Sequence, residues 1–137
     1  MNFWLLKTEP EEWSWQQQVK SGNKGTEWNG VRNFQAAKNL KYMKIGDKCF
    51  FYHTGMEKKI VGIVEITKEH FLDKTDKNRK FVSVAMKTLY PLKIEVSLEE
   101  IKKNKVFTDF SLVRQSRLSV MKVDLKYWKK ICKMGKV

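Results

Sequence analysis

The chain has 137 residues, 42% of them hydrophobic and 31% charged, so it can bury one core and reads as a folded, soluble domain over 1–137. Its 28 basic residues against 15 carboxylates leave a net charge of +13, which favours nucleic acid as partner first and an anionic membrane surface second. No apolar run approaches the ~20 residues needed to cross a bilayer, and Lys7 and Glu9 interrupt the N-terminal apolar stretch too early for a signal peptide. The expected compartment is the cytoplasm, or the nucleus if the source has one.

In chain order, Phe3 to Thr8 is apolar enough for a buried strand. Pro10 followed by Glu11 and Glu12 predicts a helix over 10–20, with acidic residues at the positive end of its dipole. Residues 33–43 predict a second helix, with Phe34, Ala37 and Leu40 on one face. A turn at 44–47 leads into strands at 48–54 and 59–68. The polar stretch 69–80 reads as a loop, and 81–95 as a strand broken or bulged at Pro91. Ser97 and Glu100 form a capping box for a short helix. Residues 112–120 read as a short strand or a turn entering one. Asp124 caps a last helix that buries Leu125, Trp128 and Ile131. The pattern is an α+β fold around a small, strongly curved sheet or partial barrel.

Of the basic residues only Arg32, Arg79, Arg114 and Arg117 are arginine, leaving 24 lysines. A lysine-rich composition raises the charge without requiring any partner, so the arginines are the informative minority. Three of the four fall within two of four segments where polar and aromatic residues mix. These segments are Lys7-Thr8-Glu9-Pro10, Trp28-Asn29-Gly30-Val31-Arg32-Asn33, Phe50-Phe51-Tyr52-His53-Thr54 and Leu112-Val113-Arg114-Gln115-Ser116-Arg117-Leu118-Ser119. Such mixing supplies faces for stacking and donors or acceptors for a base edge, as a concave base site needs.

In order and spacing these segments resemble the EVE domain family over nearly the whole chain, from Phe3 to Val120. Trp-x-Gly-Val-Arg-Asn and Val-Arg-Gln-Ser-Arg-Leu-Ser are specific in combination. Thr8 stands where many members have serine, and Phe34 where a tyrosine is often found. The resemblance implies a PUA-like fold, a small mixed β-barrel flanked by short helices and related to PUA and YTH domains. It also implies a reader of modified bases in DNA or RNA. From the YTH relationship Trp28 takes the role of a pocket wall, with Lys7, Thr8 and Glu9 lining the same pocket. Asn29, Arg32, Asn33, Tyr52, His53, Arg114, Gln115 and Arg117 match family motifs and complete the candidate ligand-binding set.

Each assignment has a plainer alternative. Trp4 and Trp128 fall in regular apolar patterns and read as core. Trp13 and Trp15 are two apart on the predicted helix, so one packs and the other is partly exposed. Arg114 and Arg117 either meet ligand or form buried pairs with Glu9 or another carboxylate. Cys49 lies in an apolar run and reads as a buried free thiol, and neither it nor Cys132 belongs to a CxxC pair. His53 and His70 begin no metal-ligand motif, so no metal or cofactor is expected. An enzyme would have to rely on His53 with a carboxylate such as Glu9, and the lack of a convergent catalytic set argues for a binder instead. A protein-interaction module is the third reading. Oligomeric state and the identity of the base are not legible.

Overall fold

A computed structural model describes all 137 residues. Strand β1 (Phe3–Thr8) is followed by α1 (Trp15–Lys20), β2 (Thr26–Trp28), α2 (Phe34–Tyr42), β3 (Lys48–His53) and β4 (Lys59–Leu72). Then come β5 (Val82–Ser97), α3 (Leu98–Lys103), α4 (Ser111–Arg114), β6 (Val120–Val123) and α5 (Leu125–Met134). The six strands form one sheet in the order β2-β5-β4-β3-β1-β6, with β2 and β6 left as edges, so the barrel is a curved, unclosed sheet. Register shifts within the β3–β4 and β4–β5 ladders, including one where Pro91 faces Gly62, bend the sheet. No helix is long and apolar enough to cross a membrane.

Local chemistry moves several expected boundaries. Pro10 lies in a turn in which the Glu9 carbonyl accepts from the N–H groups of Glu12 and Trp13. The helix starts only at Trp15, because Ser14 and Gln17 form the capping box. Trp13 therefore precedes the helix. Trp28 ends strand β2 instead of sitting in a loop. β4 continues to Leu72, through residues expected to be loop, because Phe71 and Leu72 pair with Ser83 and Val82 on β5. Along that stretch most side chains face solvent, so hydropathy carries no signal. Residues Ser111–Arg114 form a helical turn, and the last strand begins only at Val120. Leu125 is exposed while Tyr127, Trp128 and Ile131 are buried. On α2 the buried face is Ala36, Ala37 and Leu40, and Phe34 is 71% exposed with its ring tilted against Phe81.

The core packs between the sheet and the helices. Phe50 stacks on Trp128 at 3.9 Å between ring centroids, and Phe3 covers the same indole at 4.5 Å. The buried Asp47 carboxylate accepts from the Trp4 indole, from Asn2 and from Lys44. Trp15 ties α1 to the sheet. Its ring packs edge-on to Phe51, its backbone N–H donates to His53, and its indole lies directly on Gly62.

A Cβ at Gly62 would overlap the Trp15 ring, which occupies that space. Gly62→Ala should displace the indole and cost about 1–3 kcal/mol, the usual range for overpacking. Urea unfolding checks this, and a variant as stable as the parent would show that Trp15 does not anchor α1.

Candidate functional site

Parallel pairing of β1 with β3 brings their C-terminal ends together, with Lys7 opposite Tyr52 and Thr8 opposite His53. β6 runs antiparallel to β1, so the Arg114–Ser119 segment that feeds it arrives at the same end. The Lys7 N–H donates to the Ser119 carbonyl, and the Thr54 N–H to the Thr8 carbonyl. β2 and β1 are not neighbours in the sheet, yet Trp28 and Thr8 line one cleft, because the sheet curls.

That cleft has a volume of about 370 Å³ and holds Lys7, Thr8, Glu9, Trp28, Asn29, Arg32 and Arg117 of the expected residues. Two smaller depressions continue it. One, of about 200 Å³, lies between Trp13 and Trp28 and is shared with the cleft through Thr8, Glu12 and Asn29. The other, of about 350 Å³, is bounded by Asn33, Arg114, Gln115 and Arg117. Tyr52 faces a separate recess, joined to the cleft through Lys7, Thr54 and Ser116.

Most of these side chains already have partners. Trp28 is 8% exposed and packs edge-on to Phe51 at 5.7 Å, so it is a core residue that also walls the cleft. Thr8 donates to the Trp13 carbonyl, and Lys7 to the Ser116 carbonyl at 3.0 Å. Burial lowers the Lys7 pKa. Asn29 accepts from Ser83, and Asn33 caps α2 by accepting from the Ala36 N–H. His53 is buried, accepts from the Trp15 N–H through Nε2, and meets Glu57 through Nδ1 at 2.9 Å. It does not line the cleft, against the ligand-binding role expected of it, and its carboxylate partner is Glu57, so the His53–Glu9 pair that the enzymatic alternative requires is not formed. Arg114 and Arg117 are exposed, and the chain gives neither a carboxylate. The alternative of buried arginine pairs with Glu9 is therefore corrected.

Asp73 is the residue that sequence reasoning missed. It is 2% exposed, accepts from the Gly30 N–H at 2.7 Å, and pairs with Arg32 at 2.9 Å. Thr75 donates to its other oxygen through both backbone and hydroxyl, an Asx-type turn that Asp-x-Thr spacing could have signalled. Burial pushes this carboxyl up, but the hydrogen bonds from Thr75, Gly30 and Arg32 outweigh burial and bring it to about 2. Arg32 thus clamps the loop after β2 to the loop after β4, with its guanidinium also over the Phe81 ring.

The curved mixed sheet, the tryptophan beside a clamped glycine loop and the arginine-bearing turn before β6 meet at one cleft. Residues 2–134 match the EVE domain family, and the chain belongs to that family. A solved structure of a protein from Rhodopseudomonas palustris is 45% identical with a TM-score of 0.94, covering 99% of this chain and 94% of that one. Rat thymocyte nuclear protein 1 is 32% identical over 74% of this chain, which spans 55% of the rat protein's length. Human THYN1 protein, solved in complex with 5-methylcytosine-containing DNA, has the same fold at 24% identity, with a TM-score of 0.90 covering 100% of this chain and 99% of that one.

Because the Asp73 pKa is depressed on folding, its stabilisation is complete above the unfolded carboxylate value near 3.9 and is lost as pH falls through about 2. The shift corresponds to about 2 kcal/mol. Asp73→Asn should flatten the acid limb of stability between pH 5 and pH 2 by about that amount in urea titrations. Superimposable acid limbs for the two proteins would remove Asp73 as the clamp.

Proposed function

We propose that this chain is a non-catalytic nucleic-acid-binding module that takes one nucleobase, carrying a modification, into the recess between Trp13 and Trp28. The observation that carries this reading is continuity: an aromatic recess opens into a cleft bordered by Arg117, and beyond it Arg114, both exposed and without a carboxylate partner in the chain. At about 200 Å³ the recess is smaller than the roughly 300–1,000 Å³ of drug-sized sites and suits a single ring system. Trp13 is partly buried, with its indole N–H held by Gln18, so its ring is fixed beside the opening. Thr8, Glu12 and Asn29 bring polar atoms to the edge of a bound base. Glu12 makes no ion pair in the chain, and a carboxylate there accepts from an exocyclic amine, favouring cytosine or adenine over thymine. A methyl on the base would meet apolar ring surface. Arg114 and Arg117 then face the phosphates, as unpaired guanidinium groups do well. The complex of human THYN1 with 5-methylcytosine-containing DNA supports this reading through the shared fold.

Turnover is disfavoured because the one candidate proton carrier, His53, has both ring nitrogens occupied by Trp15 and Glu57. The same arrangement gives His53 a positioning role for α1.

The test is binding of short oligonucleotides with and without 5-methylcytosine. Trp13→Ala should weaken binding by about 5- to 150-fold, the range for losing one stacked base. Trp13→Phe should retain much of the affinity. Arg117→Ala should make the log–log dependence on salt shallower by roughly 0.7–0.9 for each phosphate the guanidinium neutralises. Trp28→Ala is less diagnostic, since removing a buried tryptophan costs about 3–5 kcal/mol of stability. A folded Trp13→Ala protein that binds as well as the parent would overturn the recess assignment. A chemically altered oligonucleotide recovered from the assay would overturn the absence of turnover.

A further inference from the structure

The recess lined by Tyr52 has a volume of about 290 Å³ and combines features that the base site does not use. Three lysines from separate elements line it: Lys7 at the end of β1, Lys58 in the turn before β4 and Lys102 in α3. No carboxylate lines it. Of the nearby acidic residues, Glu57 is engaged with His53 and Lys59, Glu99 with Lys103 and Glu100 with Ser97, while the Glu9 carboxylate lies against Gly55 at the rim. Lys7 gives one hydrogen bond to Ser116, which leaves its ammonium two further donors.

Tyr52 provides a second, independent observation. The residue is only 3% exposed, and its hydroxyl has no hydrogen-bond partner in the chain. Thr88 Oγ1 is the one unpartnered buried side-chain polar atom fully shut from solvent, so the Tyr52 hydroxyl keeps an opening. The recess is the cavity that Tyr52 lines. Burial pushes the phenol up to about 12, which keeps it a proton donor at neutral pH. The Lys58 segment is tied to the start of α3. Lys58 adopts φ +48°, an uncommon left-handed conformation for a non-glycine residue, and its carbonyl accepts from the Leu98 N–H at 2.8 Å. An unsatisfied donor and three lysines without ion pairs lining one recess match a phosphate group, which presents several acceptor oxygens and negative charge.

We propose that this recess is a phosphate subsite, in which Lys7, Lys58 and Lys102 supply charge and the Tyr52 hydroxyl a directed hydrogen bond. This rests on the reading of the chain as a nucleic-acid binder. The phosphate belongs to the strand whose base lies in the neighbouring recess, the two being joined through Lys7, Thr54 and Ser116.

The experiment measures oligonucleotide affinity against salt for Lys58→Ala/Lys102→Ala and for Tyr52→Phe. A control, Lys129→Ala/Lys133→Ala, removes the same two charges from α5. The recess variant should lose affinity and show a slope shallower by roughly 0.7–0.9 for each phosphate no longer neutralised, while the α5 control stays close to the parent. Tyr52→Phe, which keeps the ring packed, should weaken binding by about tenfold, the effect of removing one hydrogen bond to a charged group. If Arg117→Ala weakens binding but the recess variant matches the α5 control, the subsite is overturned and the nucleic-acid reading stands. If the parent binds no oligonucleotide, that reading fails, and inorganic phosphate then decides the subsite by NMR. Shifts at Tyr52 and Ser116 that vanish in the double variant would support an anion site of another source. Their absence would overturn it.

Discussion

The Asp73 carboxylate is buried yet ionised, because donors from Thr75, Gly30 and Arg32 converge on it. An unpaired buried charge is strongly unfavourable, so this group holds its partners in place or drives local rearrangement. Its partners lie in two loops far apart in sequence. The glycine loop after β2 is thereby fixed against the turn after β4, with Trp28 and Asn29 set at one side of the cleft. The clamp also decides what Arg32 does. A guanidinium that neutralises Asp73 and donates to Thr75 has fewer donors left free than the exposed Arg114 and Arg117.

The opposite side of the cleft follows from strand direction. Only parallel strands bring two C-terminal ends to one edge, and β1 and β3 are the parallel pair. Lys7 and Thr8 thus end beside Tyr52 and His53, and antiparallel β6 delivers Ser116, Arg117 and Ser119 to the same edge. Within this frame, neighbouring residues diverge in role. Tyr52 is directed at a recess, while His53, one position on, ties α1 to the sheet through the Trp15 N–H. Trp15 in turn needs the bare backbone of Gly62 beneath its ring.

Strands β1 and β3, the capping box at Ser97 and the core roles of Trp4 and Trp128 are legible because apolar runs and cap spacing are local signals. Seven of the twelve candidate residues meet in one cleft, and Asn33, Arg114 and Gln115 border its extension. What the sequence conceals depends on partners distant in the chain. Pro10 and two glutamates look like a helix start, but the Ser14–Gln17 box wins it for Trp15. Phe34 fits an apolar spacing, but Ala36 takes the buried position and leaves its ring outside against Phe81. Trp28 stands two residues before Gly30 and reads as loop, though three residues suffice to pair with β5. Asp73 sits in a charged stretch that resembles solvated loop, and only the fold shows that Gly30 and Arg32 come to it.

Nucleic acid should meet the cleft at the ends of β1 and β3, and not the lysine-rich exterior at large. Amide and indole chemical-shift mapping with a short 5-methylcytosine oligonucleotide tests this most directly. Saturable shifts are expected at the Trp13 and Trp28 indoles and at Thr8, Asn29, Ser116 and Arg117. Shifts confined to the lysines of α5, or spread evenly over the exposed lysines, would contradict it.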